Sequence, residues 1–144
     1  MKKHYVLLTI ICLIIFSGCE KTEEAIVNAT GSFTAKFSFY TTTSNSWSPN
    51  ENFTAKTVVT TKTGNEYVIV ATDLSGNILT VYGSGITGIG KFQSRGIFVK
   101  SGKTYSSSSG QLNVTALNAN SLTANFIVEA TDWSMFDGKL LANF

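Results

Sequence analysis

The chain is predicted to be an all-β protein: an antiparallel β-sandwich or small barrel of about eight strands, behind an export signal and a flexible tether. Apolar and polar residues alternate with period two, most clearly in Phe33–Phe39, and this alternation is typical of a half-buried strand. Threonine, valine, isoleucine and aromatic residues fill the segments between turn signals, which recur roughly every ten residues. No segment of the predicted mature domain shows a sustained helical stripe, so the sequence favours strands there, with residues 129–136 left open for a short helix.

The first 18 residues are predicted to be a removable export signal. Lys2 and Lys3 precede an apolar run, Tyr5–Phe16, and small residues follow it. A helix of that length spans about 18 Å, which is shorter than the roughly 30 Å hydrocarbon core of a bilayer. Basic residues, a short apolar run and small residues in this order are typical of a secretory signal.

The end of this segment, Phe-Ser-Gly-Cys at 16–19, resembles the lipobox of bacterial lipoproteins. The resemblance implies that Cys19 carries diacylglycerol on its sulfur and that signal cleavage cuts the bond between Gly18 and Cys19. Phe16 departs from the pattern, in which leucine is usual. An ordinary secretory signal, or an uncleaved short anchor with Cys19 incidental, is the alternative. Two or more acyl chains would make the membrane attachment durable.

Residues 19–31 are predicted to form a lipidated acidic tether, and residues 32–144 a single β domain. The tether begins Glu-Lys-Thr-Glu-Glu at 20–24 and contains no aromatic residue, so it cannot bury much apolar surface. An acidic cluster after a lipidated cysteine resembles the surface-export signal of Bacteroidota-type lipoproteins; a plain spacer is the alternative. The expected location is the cell envelope, lipid-anchored in the outer membrane; the acidic cluster favours the surface if it is an export signal, and the periplasmic face stays open if it is a spacer.

The β domain is predicted from eight candidate strands and the turns between them. Asp137-Gly138 is predicted to be a turn, and Ser106–Ser109 an exposed turn or edge. The glycine-rich segment Gly83–Gly90 indicates a flexible crossover or a close backbone approach. Phe-Thr-Ala-Lys occurs at 33–36 and again at 53–56, which suggests two similar strands that pair. The candidate strands are Phe33–Phe39, Phe53–Lys62, Tyr67–Thr72, Ile78–Tyr82, Gly96–Lys100, Gln111–Leu117, Leu122–Ala130 and Lys139–Phe144.

The order of these features resembles an uncharacterised domain found in small Bacteroidota-type envelope lipoproteins. The resemblance covers about residues 31–144 and rests on short motifs: Phe-Thr-Ala-Lys at 33–36, Trp47 in the first long loop, Tyr-Val-Ile-Val-Ala-Thr-Asp at 67–73, Gly-Lys-Phe at 90–92 and Asp-Gly-Lys at 137–139. It implies a β-sandwich-like domain on a lipid tether, with no established activity.

Composition removes several kinds of catalytic site. The chain contains 1 His and 2 Cys, and after signal cleavage neither His4 nor Cys12 remains. A serine–histidine triad, a cysteine–histidine pair and a usual structural zinc site are therefore not expected, and no cofactor is predicted. Loss of Lys2 and Lys3 reduces the 11 basic residues to nine, equal to the 9 acidic ones. With Arg95 as the only arginine, nucleic-acid binding is not expected.

Carboxylates are the remaining catalytic resource. Glu129, Asp132 and Asp137 lie close together in sequence, and a glycosidase needs two carboxyl groups about 5 to 10 Å apart across a cleft. The same three side chains offer oxygen ligands for calcium, although without the spacing of an EF-hand loop. Solvated carboxylates that cap turns are the more ordinary interpretation, so neither a catalytic nor a metal site is predicted from them.

Aromatic residues offer a second route to a ligand. Tyr40, Trp47, Tyr82, Tyr105 and Trp133 are of the kind that stacks on sugars, but most of them are expected in the core. Trp47 and Trp133 are kept as candidate ligand-binding residues. The expected function is a non-enzymatic binding or scaffolding role at the envelope, with a glycan or an envelope protein as partner. A carbohydrate-active enzyme or glycan-binding module is the alternative.

Overall fold

The computed structural model describes residues 26–28, 30–41, 46–47, 51–130 and 134–144. All regular structure in this part of the chain is β-strand, as the alternation predicts. None of these residues belongs to a helix that is long and apolar enough to cross a membrane. The strands are β1 Ile26–Asn28, β2 Gly31–Ser38, β3 Tyr40–Thr41, β4 Ser46–Trp47, β5 Glu51–Thr54, β6 Thr57–Thr63, β7 Glu66–Thr72, β8 Ile78–Gly83, β9 Gly90–Lys100, β10 Lys103–Asn118, β11 Ser121–Ala130 and β12 Met135–Asn143.

Ten of these strands form one curled antiparallel sheet, a half-barrel, which confirms the predicted fold class. Strands β6 to β12 follow one another as a meander in which each strand pairs with the next. The amino-terminal strand β2 then pairs with the carboxy-terminal strand β12, and β5 lies outside it. Strand β1 pairs with β6 at the other end of the sheet, and β3 pairs only with β4.

The core is an apolar cluster, rich in phenylalanine, on the inner side of the curl. Phe37 of β2 and Phe98 of β9 stack with ring centroids 4.0 Å apart, although three other strands lie between β2 and β9 in the sheet. Only a strongly curled sheet brings such strands face to face. Apolar burial of this kind is the main stabilising contribution in the sheet, whose described residues include no cysteine. Further fully buried members are Phe33, Tyr67, Ile69, Leu79, Leu112, Leu122 and Phe136.

The long strand β10 is interrupted where the serine run lies. Its ladder with β9 shifts register between Ser106 and Gln111, and its ladder with β11 shifts between Ser107 and Ser109. Instead of a ladder bond, the backbone N–H of Gly96 donates to the buried Ser107 hydroxyl at 2.8 Å. The prediction of an exposed turn or edge at Ser106–Ser109 is therefore wrong. The serines lie within β10 at a β-bulge, which locally bends the strand.

Two predicted strand boundaries also differ from the structure. The candidate strand Phe53–Lys62 is two strands, because the chain leaves β2 and joins β7 at Ala55–Lys56. The N–H of Ala55 donates to the Phe33 carbonyl and that of Lys56 to the Thr72 carbonyl. No turn residue lies at this change of partner, so the amino-acid composition of Phe53–Lys62 predicts a single strand. The pairing of the two Phe-Thr-Ala-Lys segments is confirmed, with Ala35 opposite Phe53.

The predicted turn at Asp137-Gly138 is wrong, since both residues lie inside β12. Gly138 is paired with Phe126 on one side and with Ala35 on the other. A Cβ at Gly138 would lie 2.7 Å from the Phe126 ring and 2.2 Å from the Thr34 carbonyl oxygen. The glycine is therefore required by a close approach within a strand, where an aromatic ring covers its bare backbone, rather than by a turn.

The predicted amino-terminal segments lie mostly outside the described residues. Gly18 and Cys19, and with them the cleavage and lipid-attachment predictions, belong to this part of the chain. Of the predicted tether 19–31, the structure describes β1, Thr30 and Gly31. Strand β1 is paired with β6 through Ile26–Lys62 and Asn28–Thr60, so the end of the predicted tether is part of the sheet.

Candidate binding face

The outer surface of the sheet from β9 to β5 carries two rows of side chains in direct cross-strand register, here called the polar face. The first row consists of Gln93, Gln111, Ile127, Asp137, Lys36 and Asn52. The second row consists of Lys91, Asn113, Asn125, Lys139, Thr34 and Thr54. Each row crosses six strands, a distance of about 24 Å at the usual strand spacing.

Alternation along each strand places these residues outside and their neighbours in the core. On β10, for example, Leu112 is fully buried while Gln111 on one side of it is exposed. On β2 the buried residue Ala35 separates Thr34 from Lys36 in the same way. All twelve members of the polar face are exposed except Asn113, which is half-buried. Ile127 is its one apolar member.

Side chains of the polar face make no hydrogen bond or ion pair with any other described residue. Several polar side chains elsewhere in the described structure are used locally. The Asp73 carboxylate accepts hydrogen bonds from the backbone N–H of Ser75 and Asn77, and Lys100 forms an ion pair with Glu51. The amides and ammonium groups of the polar face are thus not used by any other residue that the structure describes.

A shallow groove of about 730 Å³ lies on the part of the polar face formed by β11, β12, β2 and β5. The side chains of Lys36, Lys139 and Asp137 border it, together with those of Asn52 and Asn125. A second recess of about 310 Å³ lies where β9 and β10 separate, and Lys91 and Gln93 border it. Because the two rows are continuous across β9 to β5, both depressions belong to one surface.

The polar face has an excess of positive charge. It contains three lysines, Lys36, Lys91 and Lys139, and one carboxylate, Asp137, which gives a local net charge of +2. Glu129 lies outside the two rows, on the same side of β11 as Ile127 and one row further along the strand. The face is therefore suited to a ligand that is hydrogen-bonding and negatively charged.

The outer surface of the other half of the sheet has a different composition. Its cross-strand rows on β6 to β9 are built from valine, isoleucine and threonine, such as Val59, Val70, Thr80 and Ile97 in register. Two charged side chains lie in these rows: Glu66, opposite Thr63, and Arg95, whose guanidinium carbon is 4.5 Å from the centre of the Tyr82 ring. Polar amides and lysines are therefore concentrated on one half of the outer surface.

The glycine-rich loop Gly83–Gly90 joins β8 to β9 as a hairpin connection and not as a crossover. Ile86 is fully buried and lies close to Gly83, where a Cβ would be 2.7 Å from the Ile86 Cδ1. The Ser84 hydroxyl and the Gly85 N–H both donate to the Glu66 carboxylate, at 2.6 and 3.0 Å. These two hydrogen bonds lower the pKa of Glu66. The close-approach interpretation of this segment is confirmed.

The predicted carboxylates do not form a facing pair in the described structure. Glu129 lies opposite Met135, and Asp137 lies opposite Ile127, so the two carboxylates occupy adjacent rows of the outer surface. Asp137 borders the groove, and it is the only carboxylate among the described residues to do so. Asp132 lies outside the described residues. No three His, Cys, Asp or Glu side chains within the described ranges are close enough to hold a metal ion.

The structure describes the side chains of two of the five aromatic candidates, Tyr82 and Tyr105, and they lie on opposite sides of the sheet. Trp133 lies outside the described residues, and Trp47 is in the short strand β4, opposite Tyr40. Tyr105 packs against the core, with its ring 5.1 Å from that of Phe39. Tyr82 instead lies on the outer surface beneath Arg95, contrary to the expectation for most of this group. The polar face contains no aromatic side chain, because Phe53 and Phe126 point inward.

Comparison of the chain with protein-family models, with curated proteins and with solved structures finds no match.

Proposed function

We propose that the chain is a lipid-anchored, non-enzymatic binding protein of the bacterial cell envelope, with the polar face as its ligand-binding surface. The observation that carries the binding role is the pair of in-register rows, whose amides and ammonium groups have no partner among the described residues. Binding surfaces need polar groups that fix a ligand and that the fold itself does not use. The polar face meets this requirement over six strands.

The anchoring part of the proposal is supported by the sequence from Lys2 to Cys19 and by the resemblance to envelope lipoproteins. Cleavage before Cys19 leaves seven residue steps to Ile26, the first residue of β1. An extended chain covers at most about 3.6 Å per residue, so the sheet would lie within about 25 Å of the lipid. The acidic residues after Cys19 support an outer-membrane, surface-exposed location, and the lipid on Cys19 is the proposed membrane contact.

Catalysis is the weaker alternative on this geometry. A glycosidase would need a second carboxyl group facing Asp137 across the groove. Glu129 lies one row away on the adjacent strand and does not border the groove. A role in binding requires only the hydrogen-bonding groups that the polar face already presents, so it explains the arrangement with fewer assumptions.

Cysteine substitution tests the anchor. We expect wild-type protein to take up an alkyne-labelled fatty acid and to fractionate with membranes, whereas Cys19→Ser loses the label and is released. Cys12→Ser is the matched control, because it removes a cysteine from the apolar run and should leave label and fractionation unchanged. Membrane-bound Cys19→Ser together with unlabelled wild type would contradict the proposal.

Lysine footprinting tests the binding surface without knowledge of the ligand. Intact cell envelopes and purified protein are treated with an amine-acetylating reagent, and modification is measured for each lysine by mass spectrometry. We expect Lys36 and Lys139 to be protected in envelopes, while Lys56 and Lys103, exposed outside the polar face, react equally in both samples. Equal reactivity of all four lysines would contradict a ligand on the polar face.

A further inference from the structure

We infer that the ligand of the polar face is a linear acidic polysaccharide that lies across the strands and carries carboxylate groups. This inference rests on the proposed function and names the chemical class of its ligand. Four observations support it: the charge of the face, the spacing of its lysines, its amide and hydroxyl groups, and the direction of its two rows.

The charge of the face requires a ligand with anionic groups. Lys36, Lys91 and Lys139 can only donate hydrogen bonds, and the single carboxylate Asp137 leaves two positive charges without a counterpart on the face. Within the described residues, no ion pair satisfies any of these three lysines. A neutral ligand would leave that charge unmatched in the contact, whereas an acidic one neutralises it.

The spacing of the lysines requires an extended ligand. Lys91 and Lys139 occupy the same row on β9 and β12, three strand spacings apart, which is about 14 Å. Lys36 lies diagonally next to Lys139, on β2. A small monoanion reaches one end of this arrangement only. A chain of linked acidic units can contact all three lysines.

The other polar groups of the face favour a ligand rich in hydroxyls. Gln93, Gln111, Asn113, Asn125 and Asn52 each present an amide that both donates and accepts, and Thr34 and Thr54 add hydroxyls. Sugar hydroxyls likewise donate and accept. The face has no aromatic side chain on which a nucleic-acid base would stack and no arginine, so single-stranded nucleic acid finds little of what it needs there.

The direction of the rows separates a polysaccharide from a peptide. Both rows run perpendicular to the strands and reach an edge of the sheet only at β5. A peptide that joins a sheet runs parallel to the strands at an edge, where it pairs with free backbone groups. Across β10 to β2 the strands are paired on both sides, so their backbone groups are already used in ladders. Side chains therefore carry the recognition.

The test is direct binding of polyuronates to the purified full-length protein in non-ionic detergent. Polygalacturonate, alginate and hyaluronate are the probes, with methyl-esterified polygalacturonate and dextran as uncharged controls. We expect at least one of the three acidic polymers to bind, the uncharged controls to bind at least about tenfold more weakly, and the affinity to fall as NaCl is raised.

Paired variants of equal charge locate the contact. Lys36→Gln with Lys139→Gln should weaken binding about tenfold at low salt, as expected for two lost charge contacts. The control, Lys56→Gln with Lys103→Gln, removes the same charge outside the polar face and should change affinity less than twofold. Equal losses in the two double variants would overturn the inference, because they would indicate attraction by net charge alone.

Other outcomes separate failure of the ligand class from failure of the proposed function. Binding to none of the three polyuronates overturns the inference; if Lys36 and Lys139 are still protected in envelopes, a binding role for the face stands. Poly-L-glutamate or oligo-dT bound as tightly as the best polyuronate would also overturn it, in favour of a general polyanion site. If Lys36 and Lys139 are not protected in envelopes, both the inferred ligand class and the proposed binding role of the polar face are overturned.

Discussion

Substitution of Gly138 tests the packing that distinguishes the structure from the predicted turn. Gly138 does not have a positive φ, so alanine is not excluded by backbone conformation. The obstacle is space: a Cβ would lie 2.7 Å from the Phe126 ring and 2.2 Å from the Thr34 carbonyl oxygen. A methyl group can be placed only if β2 and the ring move, and such overpacking costs about 1 to 3 kcal/mol.

The expected effect of Gly138→Ala is a loss of about 2 kcal/mol in the free energy of unfolding. Alanine reduces the entropy of the unfolded chain and offsets part of the steric cost, by about 0.4 to 1 kcal/mol, so the loss falls short of the upper steric value. A domain of about 110 residues unfolds with an entropy of about 0.23 kcal/mol/K, so 2 kcal/mol lowers Tm by about 9 °C.

The assay is thermal unfolding of the full chain followed by circular dichroism, with Gly88→Ala as control. Gly88 does not have a positive φ, and apart from its chain neighbours no atom lies within 4 Å of the position of an added Cβ. Gly88→Ala should therefore change Tm by less than about 2 °C. In a double-mutant cycle, Phe126→Leu should relieve part of the Gly138→Ala cost, with a coupling of about 1 kcal/mol. A Gly138→Ala variant with the same Tm as wild type, or additive effects of the two substitutions in the cycle, would refute the packing of Gly138 against Phe126.

Two further predictions concern the glycine-rich loop. Ile86→Ala should lower the free energy of unfolding by about 2 to 4 kcal/mol and raise hydrogen exchange in the loop, because the side chain is fully buried. The control is Ile89→Ala, at a side chain that is 74% exposed, which should change neither quantity. Unchanged loop exchange in Ile86→Ala would contradict the packing of Ile86 in the core. The lowered pKa of Glu66 implies that its hydrogen bonds stabilise the loop at pH values above the ordinary glutamate pKa. This contribution is lost as the pH falls through the lowered pKa of the folded state. By NMR, the chemical shift of the Gly85 amide proton should change with pH as Glu66 titrates. This pH dependence should disappear in Glu66→Gln and remain in the control Glu129→Gln. If it persists in Glu66→Gln, it arises from another group.

Particular residues show how far sequence patterns reach in this protein. Phe33, Ala35 and Phe37 are buried as their alternation predicts, because burial in a strand follows from the two-residue repeat alone. The division at Ala55–Lys56 was missed, because the residues on either side favour strands equally and the change of partner depends on β2 and β7. Asp137-Gly138 was assigned to a turn because the same residue pair is common in turns.

The polar face was not predicted, although each of its residues is polar and exposed as the alternation suggests, apart from the apolar Ile127 and the half-buried Asn113. Lys36 and Asp137 are neighbours across β2 and β12 but lie about a hundred positions apart in the chain. The candidate residues chosen from the sequence, Glu129, Asp132 and Asp137 or Trp47 and Trp133, were chosen for chemical type. Of these, Asp137 is the one that the described structure places in the groove.

Local periodicity was therefore sufficient for the all-β class and for the inward and outward faces of most strands. It contains no information about which strands pair, because the energy of a ladder and of a buried ring contact depends on segments far apart in the chain. Curling brings Phe37 against Phe98, and the same pairing aligns amides and lysines from six strands in two rows. The candidate binding surface is thus a property of long-range register, to which each strand contributes only two side chains.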